Sequence, residues 1–364
     1  MALDAGADAV IELPMAFSAA SAEYFAAAGV SLLNKSGVVT DLVFGAECDD
    51  LEVLQQIARV LRKEPKEYKI LLKQGLREGH SYPTARTEAL LGMGSTLTAR
   101  VPDLQFVMSA PNNILAIEYL KALARLKSAI VPHAVRRRGA DYHETRYGVS
   151  MPSSLALRTA MTERGSCEPF QSAIPEGTYR ILSEAYGKMM PIYADDFSLL
   201  LRYKLLMDGN SDLTRYADLS KTLADRIRRN LPEYESFSQF AAALKTKDRT
   251  YSRVSRVLLH ILLDLTEESL YPEIMYGDAG YLRVLGFRES AAGLIRAMRS
   301  HASVPVLTRP SEAKKILTGV SLAAFNDTAR ASDLYRAVIE NKFRIKLPHE
   351  LSRKAVKTDG TVRT

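Results

Sequence analysis

The 364-residue sequence has no apolar run of the roughly 18 residues that spanning a bilayer requires, since every candidate, VSRVLLHILLDL included, is broken by Arg, His or Asp. Nor does it open on a secretory or transit leader: MALDAGADAVIELPMAF has neither a basic n-region nor a long apolar core. Its two cysteines, Cys48 and Cys167, form no C-x-x-C, and its six histidines are scattered. A disulfide framework and a protein-held metal site are therefore not expected. These absences predict a soluble, cytoplasmic protein with no membrane partner. What is present is an ordinary globular composition, 47% hydrophobic, in a chain long enough for two domains. The balance of 49 basic against 42 acidic residues, net +7, favours a polyanionic partner such as nucleic acid, with a merely solvated basic surface as the competing explanation.

The opening stretch reads as the middle of an α/β unit. Ala2, Leu3 and Ala5 predict the last turn of a helix stopped at Gly6, and Ala9 to Leu13 a short buried strand closed by Pro14. A helix capped near Ser18 follows, then a strand in VVTDLVFGAE ending at Gly45. Strand, helix, strand is a parallel α/β pattern. Helical periodicity continues through DDLEVLQQIARVLRK, EYKILLKQGLRE and PNNILAIEYLKALARL, followed by a strand in SAIVPHAVRRR and a helix from SMPSSLALR. Beyond about residue 185 strand signals fade and helical segments dominate. The expected organisation is a Rossmann-like α/β domain over 1–166, a connection over 167–191, a mostly α-helical domain over 192–350 and a flexible tail over 351–364.

Ligands in α/β folds gather at the carboxyl ends of parallel strands, which directs attention to Phe44-Gly45-Ala46-Glu47. Gly45 there allows close approach of a nucleotide, unless it serves only to end the strand. In PNNILAIEYLKAL, Asn112 or Asn113 is expected to cap the helix while a side-chain amide reaches a base or ribose. RRRGADYHETRYGVSMPSSLALR is the densest constellation: Arg136, Arg137 and Arg138 end a strand, Tyr142 and His143 follow, and Ser153, Ser154 and Arg158 open a helix. Arginines beside free helix N–H groups make a phosphate site. His143 has no identifiable carboxylate partner and is not assigned a catalytic role. Farther on, Arg249, Arg253 and Arg256 fall within about 60° of one another on a helical face at 100° per residue. With Arg226, Arg228 and Arg229 they suit a nucleic-acid backbone, and equally an ordinary exposed helix.

AGADAVIELP, SAEYFA, FGAE, GHSYPTAR, PNNILAIEYLKAL, RRRGADYHE, SRVSRVLLHILL and YLRVLGF, in that order and across essentially the whole chain, resemble the bacterial tRNA(Met) cytidine acetate ligase family of nucleotidyltransferase-like proteins. The resemblance implies ATP-dependent activation of acetate to acetyl-adenylate, with a divalent ion such as Mg2+ accompanying ATP, then acetylation of N4 of the wobble cytidine of elongator tRNA(Met). It implies ATP contacts at Gly45, at Asn112 or Asn113, and at Arg136 or Arg137, with further phosphate contacts at Ser153, Ser154 and Arg158. Ala46 replaces the family's serine beside Gly45, and Leu155 stands where its helix start carries a threonine hydroxyl.

The family also carries N-P-F-H-N-G-H near its start, whose two histidines stabilise charge on the α-phosphate. No H-x-G-H occurs in this chain, so no catalytic residue is assigned, and Gly79-His80 lies between helical runs. The expectation is therefore an α/β nucleotidyltransferase-like domain lacking its first β-α unit, followed by a helical tRNA-binding domain contacting tRNA through Arg249, Arg253 and Arg256. A catalytically inactive RNA-binding protein, or another nucleotidyltransferase of the same fold, stand as alternatives.

Overall fold

The computed structural model describes residues 1–93, 103–137, 152–209, 211–246, 249–270 and 280–359. Among these, strands β1 (Ala9–Ile11), β2 (Asp41–Ala46), β3 (Val131–Arg136), β4 (Leu282–Arg288), β5 (Val306–Leu307) and β6 (Val356–Thr358) form two sheets. β2 and β3 pair in parallel, from Asp41 opposite Val131 to Ala46 opposite Arg136, as strands joined through a helical crossover do. Phe44 and Ala46 face the core, while Val43, Val131 and Val135 are exposed on the other face.

The expected strand-helix-strand unit is present in order but not in pairing. β1 runs antiparallel to β4, with Ala9 opposite Phe287, so the first strand joins a sheet completed near the end of the chain. β4 is also the clearest departure from the expected loss of strands beyond residue 185. Its central position buries it on both faces, Leu285 excepted, and Arg283 interrupts the apolar run that would have announced it. β5 and β6 pair parallel to β4. Val356–Thr358 is thus a short strand where an irregular tail was expected. Gly286 allows this: a Cβ there would lie 3.0 Å from the Val356 carbonyl oxygen. Residues 1–6 form a hydrogen-bonded turn, with the Ala5 N–H donating to the Met1 carbonyl at 2.9 Å and the Gly6 N–H to the Leu3 carbonyl at 3.2 Å.

Helix α1 (Ala22–Lys35) starts three residues later than predicted, with Ser21 at its N-cap, Glu23 in its first turn and Lys35 in its last. The small buried residues Ala26, Ala27 and Ala28 let it lie between both sheets. Val30 packs into the core built on Phe44, Leu54, Ile57 and Ile117, whereas Ala28 and Leu32 pack into the core of Phe17, Leu282, Val284 and Phe325. The first core is enclosed by α2 (Leu51–Lys63), α3 (Lys66–Arg77), α4 (Tyr82–Gly92), α5 (Leu104–Ser109) and α6 (Pro111–Leu126).

After β3 come α7 (Ser154–Arg164) and α8 (Glu176–Ala185), then four helices with a core of their own: α9 (Ser198–Met207), α10 (Lys221–Asn230), α11 (Phe237–Leu244) and α12 (Tyr251–Leu263). These match the expected helical segments, and Leu201, Leu223, Phe240, Val257 and Ile261 fill their centre. α13 (Ala292–His301) and the long α14 (Gly319–Phe343) return the chain to the β4 sheet. No helix among the described residues is long and apolar enough to cross a membrane.

Candidate nucleotide site

β1 and β2 do not touch as a sheet; a cavity of about 410 Å³ separates them. Ile11, Glu12 and Leu13 line one wall, Leu42 to Gly45 the opposite one, and Asn112, Leu115 and Tyr119 of α6 close it beside α1. It therefore sits against the end of a parallel strand pair, beside the amino end of a helix.

Of the residues expected at the nucleotide, Gly45 and Asn112 line this cavity, and Glu47 holds Asn112, Asn113 and Arg137, while Arg136 is exposed at the end of β3. Asn112 Nδ2 donates to Glu47 Oε1 at 2.6 Å, and the Asn113 backbone N–H donates to Glu47 Oε2 at 3.0 Å. Arg137 Nη1 lies 3.5 Å from Glu47 Oε1. The Arg137 N–H donates to the Ala46 carbonyl at 2.9 Å, extending the β2–β3 ladder past Arg136. The Arg137 side chain passes beside Gly45, its Cγ 3.5 Å from where a glycine Cβ would stand.

Neither asparagine caps α6, contrary to expectation. Ala110 is the N-cap and makes no side-chain bond, Pro111 holds the first helical position, and Glu47, just after β2, accepts the N–H of the third helical residue, Asn113. The two amides then separate by burial. Asn113 is fully buried and accepts the Cys48 N–H at 2.8 Å, locking the turn that follows β2. Asn112 is half-buried and lines the cavity. Burial pushes the Cys48 thiol up from its ordinary value, which disfavours the thiolate.

Of the proposed phosphate group, Ser153 caps α7: its Oγ accepts the Ala156 N–H at 3.0 Å and the residue is buried. Ser154 and Arg158 are exposed on the first turns of α7. Arg138, Tyr142 and His143 lie outside the described residues. His80 sits between α3 and α4, its Nδ1 2.6 Å from Glu88 Oε2.

The arginine stripe is rearranged. Arg249 precedes α12, whose N-cap is Thr250, so it shares no helical face with the other two and bonds Thr222 instead. Arg253 and Arg256 converge on one carboxylate, Asp218, at 3.1 and 2.5 Å. Arg226 donates to the carbonyls of Ala243 and Leu244, closing α11, and Arg228 to those of Gly209 and Ser211.

Two participants were missed at sequence level. Glu47 stands in the quoted FGAE string, and its signal was an acid directly after a buried strand. Glu12 stands inside the apolar stretch AVIELP, where a charge is out of place unless paired. Its Oε2 meets Arg283 Nη1 at 2.7 Å, and Arg283 also binds Glu350.

The sequence model of the HIGH Nucleotidyl Transferase family matches residues 1–348. The tRNA(Met) cytidine acetate ligase of Alkaliphilus metalliredigens is 33% identical over 354 residues, covering 94% of this chain and 82% of that protein. The protein of that name from Fervidobacterium nodosum is 32% identical over 380 residues, covering 99% and 87%. Among solved structures, apo Thermotoga maritima TmcAL superposes with a TM-score of 0.90 at 27% identity, covering 98% of this chain and 86% of that one. The same protein bound with alpha-thio ATP gives 0.87 at 27% identity, covering 98% and 85%. By this match along nearly its whole length, the chain belongs to the HIGH Nucleotidyl Transferase family, among the tRNA(Met) cytidine acetate ligases.

Proposed function

We propose that this protein uses ATP to convert acetate to acetyl-adenylate and transfers the acetyl group to N4 of the wobble cytidine of elongator tRNA(Met). The observation that carries the reading is Glu47 holding Asn112, Asn113 and Arg137 together, beside a cavity that Gly45 and Asn112 line at the end of a parallel strand pair. That two structures of TmcAL share the fold, one of them with alpha-thio ATP, supports a nucleotide as occupant.

In this reading Gly45 admits the nucleotide to the β2 backbone and Asn112 contacts its base or ribose, while Asn113 holds the wall in place. Arg136 and Arg137 meet the phosphates, with Arg158, Ser154 and the free N–H groups at the start of α7, whose cap is Ser153, as a further anion site. An acetate oxygen attacks the α-phosphorus and pyrophosphate leaves. Cationic groups fixed before reaction stabilise the charge that builds there. Mg2+ would accompany ATP, where it would be held chiefly by phosphate oxygens and water and would offset the triphosphate charge. Among the described residues no cluster of three His, Cys, Asp or Glu forms a cage of its own. The tRNA backbone is met by Arg249, Arg253 and Arg256.

Two measurements test this separately. Titration calorimetry with ATP and Mg2+ is expected to show binding that Arg136→Ala with Arg137→Ala weakens at least tenfold. Nucleoside mass spectrometry of tRNA incubated with protein, ATP and acetate is expected to show N4-acetylcytidine. Binding of tRNA with neither ATP binding nor acetylation would favour the RNA-binding alternative.

A further inference from the structure

The positive charge of this protein is not spread evenly along the chain. Residues 280–359 hold 15 basic and 7 acidic side chains, while the rest of the sequence holds 34 and 35, so the excess of basic residues lies in this one segment. Folding gathers part of it at a sheet edge. Phe287 pairs with Ala9 on one side and with Lys357 on the other, so β6, with β5, lies along the edge of β4 that faces away from β1. The Ala355 N–H donates to the Thr308 carbonyl at 3.1 Å, which joins the start of β6 to the end of β5. Arg309 and Lys354 flank that junction and are exposed, and Arg299 of α13 reaches it, its Nη2 donating to Thr308 Oγ1 at 2.7 Å. Arg296 lies three residues earlier on the same face of α13 and is exposed as well.

Few carboxylates answer these cations. Arg296 and Lys354 have neither a hydrogen bond nor an ion pair among the described residues, Arg299 bonds a hydroxyl, and Arg309 has Glu312 at 3.6 Å. On α12, by contrast, Arg253 and Arg256 share Asp218 at 3.1 and 2.5 Å. Like charges held together without counter-charges repel one another, and a polyanion relieves that repulsion. We infer that this edge of the β4 sheet, made of β5, β6 and the exposed face of α13, is a docking surface for the tRNA backbone, whose phosphates lie over Arg296, Arg299, Arg309 and Lys354. The inference rests on the tRNA reading above and adds to the α12 face a second surface with more unpaired charge.

A nucleic-acid backbone carries one charge per nucleotide and asks for exposed cations along an open surface rather than for an enclosed pocket. Three of the four cations are arginines, whose forked donors fit phosphate oxygens. Charges on a sheet edge also discourage pairing with another chain, which accounts for lysines beside β6 but not for Arg296 and Arg299, which stand on a helix. The edge also reaches toward the reaction site. Arg353, exposed next to Lys354, lies 4.0 Å from Glu350, and Glu350 shares Arg283 with Glu12, which lines the nucleotide cavity.

The test measures binding of a tRNA(Met) transcript to the full chain by fluorescence anisotropy as salt rises from about 50 to 200 mM. Arg296→Gln, Arg299→Gln, Arg309→Gln and Lys354→Gln together are expected to weaken binding at least tenfold and to lower the salt slope by about three, at about 0.7–0.9 per phosphate contact. Should that protein fail to fold, Arg296→Gln with Lys354→Gln removes no bond among the described residues and is expected to lower the slope by about one to two. Replacing the three arginines by lysine keeps the charge and is expected to keep the slope. Lys63→Gln, Lys66→Gln, Lys69→Gln and Lys73→Gln together take the same charge from the exposed surface of α2 and α3, and are expected to leave the slope unchanged. A slope unaltered by the edge variants, or lowered equally by the α2 and α3 ones, would overturn the inference. If the edge variant keeps its tRNA affinity and loses binding to phosphatidylserine vesicles, the surface serves a membrane and the inference fails. Acetylation of tRNA with an unaltered slope in the edge variant would sink this inference and leave the ligase reading standing. A lowered slope, with no acetylation by the unmodified protein, would do the reverse.

Discussion

At the residue scale, Asn112 and Asn113 show how neighbours of one chemical type take different work from their surroundings. Asn113→Ala leaves the Cys48 N–H without its acceptor in a fully buried setting, so a loss of about 1–3 kcal/mol is expected in denaturant unfolding. Asn112→Ala removes a half-exposed donor to Glu47, and its stability cost is expected to stay within about 1 kcal/mol while ATP affinity falls several-fold. The opposite ranking, with Asn112 the more destabilising, would refute this division. Asp264 gives a second residue-scale case. Its carboxyl is held below the ordinary value of 3.8, first by the hydrogen bond from Lys204 Nζ at 2.9 Å. A depressed folded pKa contributes stability that is present above the unfolded value and is lost as pH falls through the folded one. The helical bundle should accordingly weaken below about pH 3.8, and Asp264→Asn should flatten that acid limb in thermal melts taken from pH 5 to 2.

At the element scale, α12 is the helix whose reading changes most. Its buried stripe of Val254, Val257, Leu258 and Ile261 follows the 3.6-residue period, and sequence alone was enough to find it. The arginine face was legible only as a spacing. Asp218, from a turn 35 and 38 residues away, holds Arg253 and Arg256 together and cancels one of their charges. If this face meets the tRNA backbone, Arg253→Ala with Arg256→Ala should reduce the salt slope of binding by one or two, at about 0.7–0.9 per phosphate contact. Asp218→Asn should steepen it, because both arginines are then freed. Asp218 has φ of +62°, a conformation asparagine adopts readily, so this variant is expected to fold. Salt slopes identical in all three proteins would mark the face as ordinary surface.

At the scale of the whole molecule, the chain is closed by contacts between its beginning and its end. β1 pairs with β4, the Arg288 side chain donates to the Leu3 carbonyl, and Phe17 and Leu32 share a core with Phe325. The ring nitrogens of buried His260 lie 2.8 Å from the carbonyl oxygens of Ala19 and Ala217, joining the bundle to the same region. The α9–α12 bundle, by contrast, has a core drawn from residues 201–261 alone. A fragment of residues 192–265 is therefore expected to show cooperative helical unfolding by circular dichroism. A fragment of residues 1–166 is expected to aggregate, since β1 loses its partner and α1 loses the cover on Ala28 and Leu32. A soluble, cooperatively melting 1–166 fragment would show the first sheet to be self-sufficient.

What the sequence by itself determined was everything encoded by local period and local chemistry. The strands at 41–46 and 131–136, the helices of the bundle, and the candidacy of Gly45, Asn112, Asn113, Arg136 and Arg137 all follow from patterns a few residues long. Only the tertiary structure decided which strand edges meet, because a three-residue strand such as Ala9–Ile11 carries no record of a partner some 270 residues away. It also decided what each charge does. A carboxylate or guanidinium has the same formula on a surface, on a helix cap or in a core, and its role is fixed by the group folding brings within about 3 Å. Glu47, Glu12 and Asp218 acquire their roles in that way, from Asn112, Arg283 and the two arginines of α12.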